Sequence, residues 1–152
     1  MVLWRMKKNI RGFSPNEIVE LYRYLCIYGN DLENIGSQKE LVKKYPKLKD
    51  LEKKITGFVS NYYTRESLKT IAITPMENLV SMTKCRSSKV LSFLHHLRNS
   101  IAHGQIEQEG GYIHLIDYEK ENNVKVFSAR GKIKSSTLFE IINIVNENVK
   151  LT

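Results

Sequence analysis

Only two cysteines, Cys26 and Cys85, occur in 152 residues, and they form no C-x-x-C pair. This excludes a disulfide framework, and both are expected as buried free thiols in a reducing compartment. Long apolar runs are also missing. The opening "MVLWRMKKNIRG" lacks the apolar core of a signal peptide, and no segment approaches the roughly 20 apolar residues of a spanning helix. A cytoplasmic protein without a membrane partner is expected. No glycine-rich phosphate loop of the G-x-x-x-x-G-K type occurs. Cys85, His95, His96 and His103 lack zinc-ligand spacing, so no metal and no other cofactor is expected. Acidic residues are the scarcer charge: 16 Asp and Glu against 24 Lys and Arg leave a net charge of +8. That balance favours an anionic partner such as RNA or another phosphate-bearing ligand.

What is present is enough to fill a core. Apolar residues make up 41% of the chain, which argues against disorder and fits one domain over residues 1–152. "SPNEIVELYRYLCIYGN" predicts a helix. Ser14 and Glu17 form a capping box, Pro15 suits the first turn, and Ile18, Leu21, Tyr22 and Leu25 recur at helical spacing. Gly29 and Asn30 are expected to stop it. "SQKELVKKYP" repeats the pattern with Ser37, Glu40 and a stop at Pro46. A longer helix follows through Leu48, Leu51, Ile55 and Phe58. "TRESLKTIAI" predicts a short helix capped by Thr64, and "TPMENLVSM" another, started by Thr74, Pro75 and Glu77. "SSKVLSFLHHLRNSIAHG" is the next helix and ends at Gly104.

Beyond Gly104 the period changes. "QIEQE", "YIHLIDY" and "NVKVFSA" predict a two- or three-stranded antiparallel meander, with turns at Gly110–Gly111 and "EKENN". "STLFEIINIVNENV" returns to helix, with Thr137 and Glu140 as a capping box. The expected fold class is mainly α (α+β), a helical bundle with a small β insertion at about 105–130 before its last helix.

The helix ending at Gly104 has two faces. At about 100° per residue, Val90, Leu94, Leu97 and Ile101 form an apolar stripe, widened by Leu91 and Phe93. Nearly opposite lie Lys89, Ser92, His96, Asn99 and His103. This polar stripe is expected to meet water or a second surface. Asn99 and His103 are helical neighbours, and Asn99 is expected to orient the His103 ring. Arg98 lies roughly 140° from His103 around an ideal helix. The two meet if the last turn distorts, if the Arg98 side chain wraps round, or if a second copy brings its Arg98 across. Arg98 and His103 also satisfy the ordinary preference for cations in a last turn, without any chemistry.

"LRNSIAHG" resembles the R-x4-6-H signature of the HEPN superfamily in its R-N-x-x-x-H form, with Arg98, Asn99 and His103 on the three functional positions. The order of "RNSIAHG" followed by strands is similar to a plasmid- and phage-associated HEPN subgroup. The resemblance implies a HEPN-like helical bundle and a metal-independent endoribonuclease acting as a homodimer. It also implies a place in toxin–antitoxin or phage-defence systems, with an antitoxin protein as a further partner. HEPN toxins paired with nucleotidyltransferase antitoxins often carry a tyrosine two residues after the histidine. Here that position is Gln105, which excludes tyrosine adenylylation at this site.

The chemistry implied is attack by a 2′-OH on the adjacent phosphate, giving 2′,3′-cyclic phosphate and 5′-hydroxyl ends. His103 would be base or acid, Arg98 would stabilise the phosphorane, and Asn99 would orient His103 or the phosphate. His96, one turn back, could assist; as a plain structural residue it would be a solvent-exposed or interface histidine. One histidine does not easily fill both proton roles, which favours a dimeric site. Lys43, Lys44 and Lys89 are candidate RNA contacts, and Tyr45, Tyr62 and Tyr63 candidate stacking residues. Two other readings stand beside the enzyme: a non-catalytic HEPN module that binds RNA, nucleotide or a partner protein, and a helical interaction protein.

Overall fold

The computed structural model describes residues 10–59, 62–70 and 78–148. The helices are α1 (Pro15–Ile27), α2 (Gln38–Lys44), α3 (Leu48–Phe58), α4 (Arg65–Thr70), α5 (Lys89–Ala102) and α6 (Ser135–Asn148). The strands are β1 (Leu79–Met82), β2 (Ile106–Glu109), β3 (Tyr112–Glu121) and β4 (Val124–Lys134). The fold is α+β: helices packed on one antiparallel sheet of order β1-β4-β3-β2.

The capping signals set most helix starts. Ser14 accepts from the Glu17 amide while the Glu17 carboxylate takes the Ser14 amide, so two free donors of the first turn are satisfied reciprocally. Ser37 accepts from Glu40 N at 3.1 Å, but the Glu40 carboxylate reaches Gly36 N instead of closing the box. Thr64 caps α4 through Ser67 N. The stop expected at Gly29–Asn30 does not occur. The chain widens there into a π-helical turn, Tyr28–Leu32, with Glu33 N bonded to Tyr28 O. The wider turn lets both Tyr28 and Leu32 reach the core. Helix α6 starts at Ser135, ahead of Thr137, because β4 runs directly into it.

The helix expected over "TPMENLVSM" is corrected at its second half. Thr74, Pro75 and Glu77 lie outside the described residues, and Leu79–Met82 form strand β1 on β4. Asn78, directly before β1, has φ of 56°, and its side chain accepts from Lys134 N at 2.9 Å. Opposite Val80, Gly131 gives β1 room, since a Cβ there would lie 2.6 Å from Leu79 O. The meander therefore gains a fourth strand. Its two hairpin turns are two-residue turns with both φ positive, Gly110–Gly111 and Asn122–Asn123, the geometry that matches strand twist.

The core lies between the sheet and α1, α3, α5 and α6. On β3, Ile113, Leu115 and Asp117 face inward, whereas Tyr112, His114, Ile116 and Tyr118 are half-buried on the other side. Helix α5 packs on that inner face and against α1 and α3, burying Val90, Leu91, Phe93, Leu94, Leu97 and Ile101. Each such side chain contributes about 1.5–3 kcal/mol relative to exposure, so the apolar stripe fixes how α5 sits.

Candidate functional site

Helix α5 begins at Ser88, whose hydroxyl accepts from Leu91 N. It ends in a defined stop. His103 is the C-cap residue and Gly104 has φ of 67°. Gly104 N bonds to Ile101 O, and Gln105 N to Ser100 O at 2.7 Å. This Schellman pattern uses glycine because the left-handed conformation disfavours a Cβ. It leaves the His103 ring exposed.

The polar stripe does not face outward as expected. Ser92 and His96 are 0% and 1% exposed, and their partners come from the same chain. Ser92 Oγ accepts from Arg86 N at 3.0 Å and Cys85 N at 3.3 Å. His96 Nδ1 lies 2.8 Å from Asp117 Oδ2, and His96 Nε2 lies 2.9 Å from Thr83 O and 3.5 Å from Cys85 Sγ. A solvent-exposed or interface His96 is thereby corrected: the β1–α5 connection and β3 cover this side of the helix. A carbonyl only accepts, so Nε2 carries a proton, and the Asp117 carboxylate takes another from Nδ1. Burial opposes the charge, but the bonds to Asp117, Cys85 and Thr83 outweigh it and push the His96 pKa up to about 9. The neighbouring His95 is different. Tyr28 OH and Arg86 both reach its Nδ1, and burial followed by the Arg86 charge lowers its pKa.

Asn99 joins the same network. Its Nδ2 donates to Asp117 Oδ2 at 3.2 Å, and its Oδ1 accepts from Arg98 Nη1 at 3.0 Å. The described partners of the Asn99 side chain are thus Asp117 and Arg98, not His103; only the backbone links them, through His103 N and Asn99 O.

The structure joins Arg98 to Asn99 but sets His103 in a different cavity. Asn99 lines a cavity of about 450 Å³ with His95, His96, Asp117, Cys85 and Arg65. His103 lines a different cavity of about 590 Å³, with His114, Arg11, Glu107, Tyr118 and Lys125. Arg98 lines neither. The His103 side chain has no hydrogen bond to another described residue, whereas Arg11 is paired with Glu107 at 2.9 Å. Of the basic candidates, Lys43 and Lys44 are exposed on α2, with Lys44 3.5 Å from Asp31, and Lys89 is half-buried at the start of α5. None of the three lines either cavity. Tyr45 is buried and so cannot stack on a base. Both cysteines are exposed, which corrects the expectation of buried thiols. Among the described residues, no group of three or more His, Cys, Asp and Glu side chains converges to hold a metal ion, and no helix is long and apolar enough to cross a membrane.

Sequence reasoning missed His114 and Asp117. Asp117 had a signal. It stands at an inward position of an alternating strand, after Ile113 and Leu115, and an acid there requires a buried partner. His114 had none, since a half-buried position on the outer face of a strand accepts almost any residue.

Comparison with known proteins agrees with the motif. The family model HEPN pEK499 p136 matches residues 27–149. No curated protein and no solved structure matches the chain. The family match covers well over half of the sequence and takes in α2 to α6, so the chain belongs to the HEPN superfamily, in the HEPN pEK499 p136 family.

Proposed function

We propose that the chain is a metal-independent endoribonuclease with His103 as one of its proton-transfer groups. One observation carries this: His103 is exposed, unpaired among the described residues, and shares a cavity of about 590 Å³ with a second histidine, His114. In the reaction, His103 takes the proton of an RNA 2′-OH, whose oxygen attacks the adjacent phosphorus. The bond to the 5′-oxygen breaks, and His114 protonates that leaving oxygen. The products carry 2′,3′-cyclic phosphate and 5′-hydroxyl ends. Two imidazoles from one chain supply both proton roles, so acid and base alone do not call for a dimer.

Arg98 still calls for one. Its role is to stabilise the phosphorane, yet within a single chain it lines neither cavity. A homodimer supplies Arg98 from a second copy. Asn99, tied to Asp117, holds the Arg98 guanidinium in place. Lys125 and Arg11 offer phosphate contacts in the cavity, and Lys43, Lys44 and Lys89 extend them over the surface. The activity fits a toxin or phage-defence effector held in check by an antitoxin protein.

The test is to express wild type, His103→Ala and His114→Ala separately, and to compare growth, RNA integrity and fragment ends. Cleavage by wild type alone, with cyclic phosphate ends, supports the enzyme. RNA bound equally by all three and cut by none identifies a non-catalytic RNA-binding module instead.

A further inference from the structure

The sheet has a second face, away from α5 and α6. On β3 this outer face carries Tyr112, His114, Ile116 and Tyr118, all half-buried. Register sets β4 residues beside them: Lys134 opposite Tyr112, Lys132 opposite His114, Arg130 opposite Ile116 and Phe127 opposite Tyr118. Phe127 is there because of a β-bulge. Counting back from the buried Ala129, strict alternation would turn Phe127 inward. The register shifts between Asp117 and Tyr118, so that Ser128 is passed over and Phe127 pairs with Tyr118. The extra residue re-aims the side chain, and the two rings lie 6.0 Å apart.

Each of these three aromatic rings carries a cation. Lys132 Nζ lies 4.9 Å from the centre of the Tyr112 ring and Lys125 Nζ 4.8 Å from that of Tyr118. Arg130 Cζ lies 4.4 Å from the centre of Phe127, and its guanidinium donates to Leu68 O at 3.0 Å. Arg130 and Phe127 thus form a fixed buttress beside Tyr118, whereas the two lysines sit on flexible stems. The positive charge of the face lies on β4. Its acids, Glu107 and Glu109, lie on β2, where Glu107 is paired with Arg11. The row runs into the cavity of about 590 Å³, which His114, Tyr118 and Lys125 line beside His103. Tyr112 and Tyr118 stand about 20 Å apart along the strand, with His114 between them.

We propose that this outer face is a stacking platform that makes single-stranded RNA the substrate. The proposal rests on the reading of the His103 and His114 cavity as the cleavage site. One base lies on the Tyr118 ring at the cavity, and another on Tyr112 beyond His114. Lys125 and Lys132 swing from the rings to the phosphates on either side of the one that is cut. Bases in a duplex stack on one another and offer only their edges, so paired RNA does not reach the rings. Stacking tolerates any base, so the platform selects unpaired RNA, not a particular sequence.

The experiment measures binding, by fluorescence anisotropy, of a short 2′-O-methyl oligonucleotide. This probe lacks the attacking hydroxyl, so binding is read apart from cleavage. Wild type is expected to bind the single strand about tenfold or more tighter than the same sequence as a duplex or as an abasic strand, the scale of one lost stack. Tyr118→Leu, checked for folding by circular dichroism, is expected to lose about tenfold, and Tyr118→Phe, which keeps the ring, to bind as wild type does. A second readout needs no variant: photocrosslinking of wild type to a single strand carrying 5-iodouridine, mapped by peptide mass, is expected at Tyr118 or Tyr112. Equal affinity for the single strand and the duplex or abasic strand would reduce the face to a charged surface and overturn the proposal. So would wild-type affinity in folded Tyr118→Leu, crosslinks confined to other elements, or no binding of any probe. Cleavage of RNA without these binding differences would remove the platform alone; the binding differences without any cleavage would remove the ribonuclease reading and leave a single-strand RNA-binding module.

Discussion

Asn99 Nδ2 donates to Asp117 Oδ2 at 3.2 Å, the oxygen that also takes the His96 Nδ1 proton at 2.8 Å. One strand carboxylate thus ties together two turns of α5, and through Asn99 it reaches Arg98. Replacing Asp117 by Ala leaves a buried imidazole cation and an amide without their acceptor. Breaking a buried charged pair in this way costs about 3–5 kcal/mol. Urea unfolding at pH 7 measures it; a loss under about 1 kcal/mol would show that the pair carries little of the stability.

Stability should depend on pH through His96. Its folded pKa is raised to about 9 from 6.5. A raised value means that the stabilisation is fully present below about 6.5 and is lost as pH rises through about 9. The expected size is on the order of 3 kcal/mol. Unfolding free energies of wild type and His96→Gln, taken from pH 6 to 10, isolate it by difference. Parallel curves would contradict a charged His96.

In the proposed mechanism imidazoles and cations supply the whole reaction, so cleavage is expected to survive excess EDTA. His103→Ala should lower the rate by about 10²–10⁴-fold, the range for a general acid or base. It should leave the unfolding midpoint nearly unchanged, since the ring is exposed at a helix end. His114→Ala should fall in the same range, and the double variant should lose less than the product of the two. Activity abolished by EDTA and restored by Mg²⁺ would remove the mechanism.

Ser92→Ala should destabilise the fold by about 1–3 kcal/mol, because the Arg86 and Cys85 amides lose the hydroxyl that accepts from them. A bulky charged residue there should prevent folding, because the position is fully buried. Thermal unfolding of Ser92→Ala and the soluble yield of Ser92→Arg check both.

Much of the architecture was legible because its signals are local. Ser14 with Glu17, Thr64 with Ser67, Gly104, and the paired turn residues at 110–111 and 122–123 act on their immediate neighbours, so the sequence displays them. Strand β1 was not legible. Its four residues gain their state from β4 and from Asn78, and no local pattern reports a strand some 50 residues away. The site was half legible. The spacing of Arg98, Asn99 and His103 and the angle separating Arg98 from His103 follow from helix geometry. Periodicity also showed that Ser92 and His96 are off the apolar stripe. It could not show that β3 and the β1–α5 connection supply polar groups to cover them, and so it read a buried polar network as an outer surface. His114 enters the cavity through sheet register, opposite Glu107, which only the pairing of strands determines.

The way β1 is attached has a consequence for the order of assembly. Hairpins β2–β3 and β3–β4 close over two-residue turns, which keeps their loop-closure entropy small. Strand β1 joins β4 from across about 50 residues, and closing that span carries the larger entropy. It is also an outermost strand of the sheet, with a single bridge from Tyr62 and Tyr63 to Met82 on its other side among the described residues. The segment that docks with it brings Thr83 and Cys85, the lid over His96. Folding is therefore expected in two stages, a helix–hairpin nucleus in which His96 is still hydrated, then an edge that seals it. Amide hydrogen exchange reads this order directly: the β1 amides should exchange through a local opening, well before those of β3 and β4.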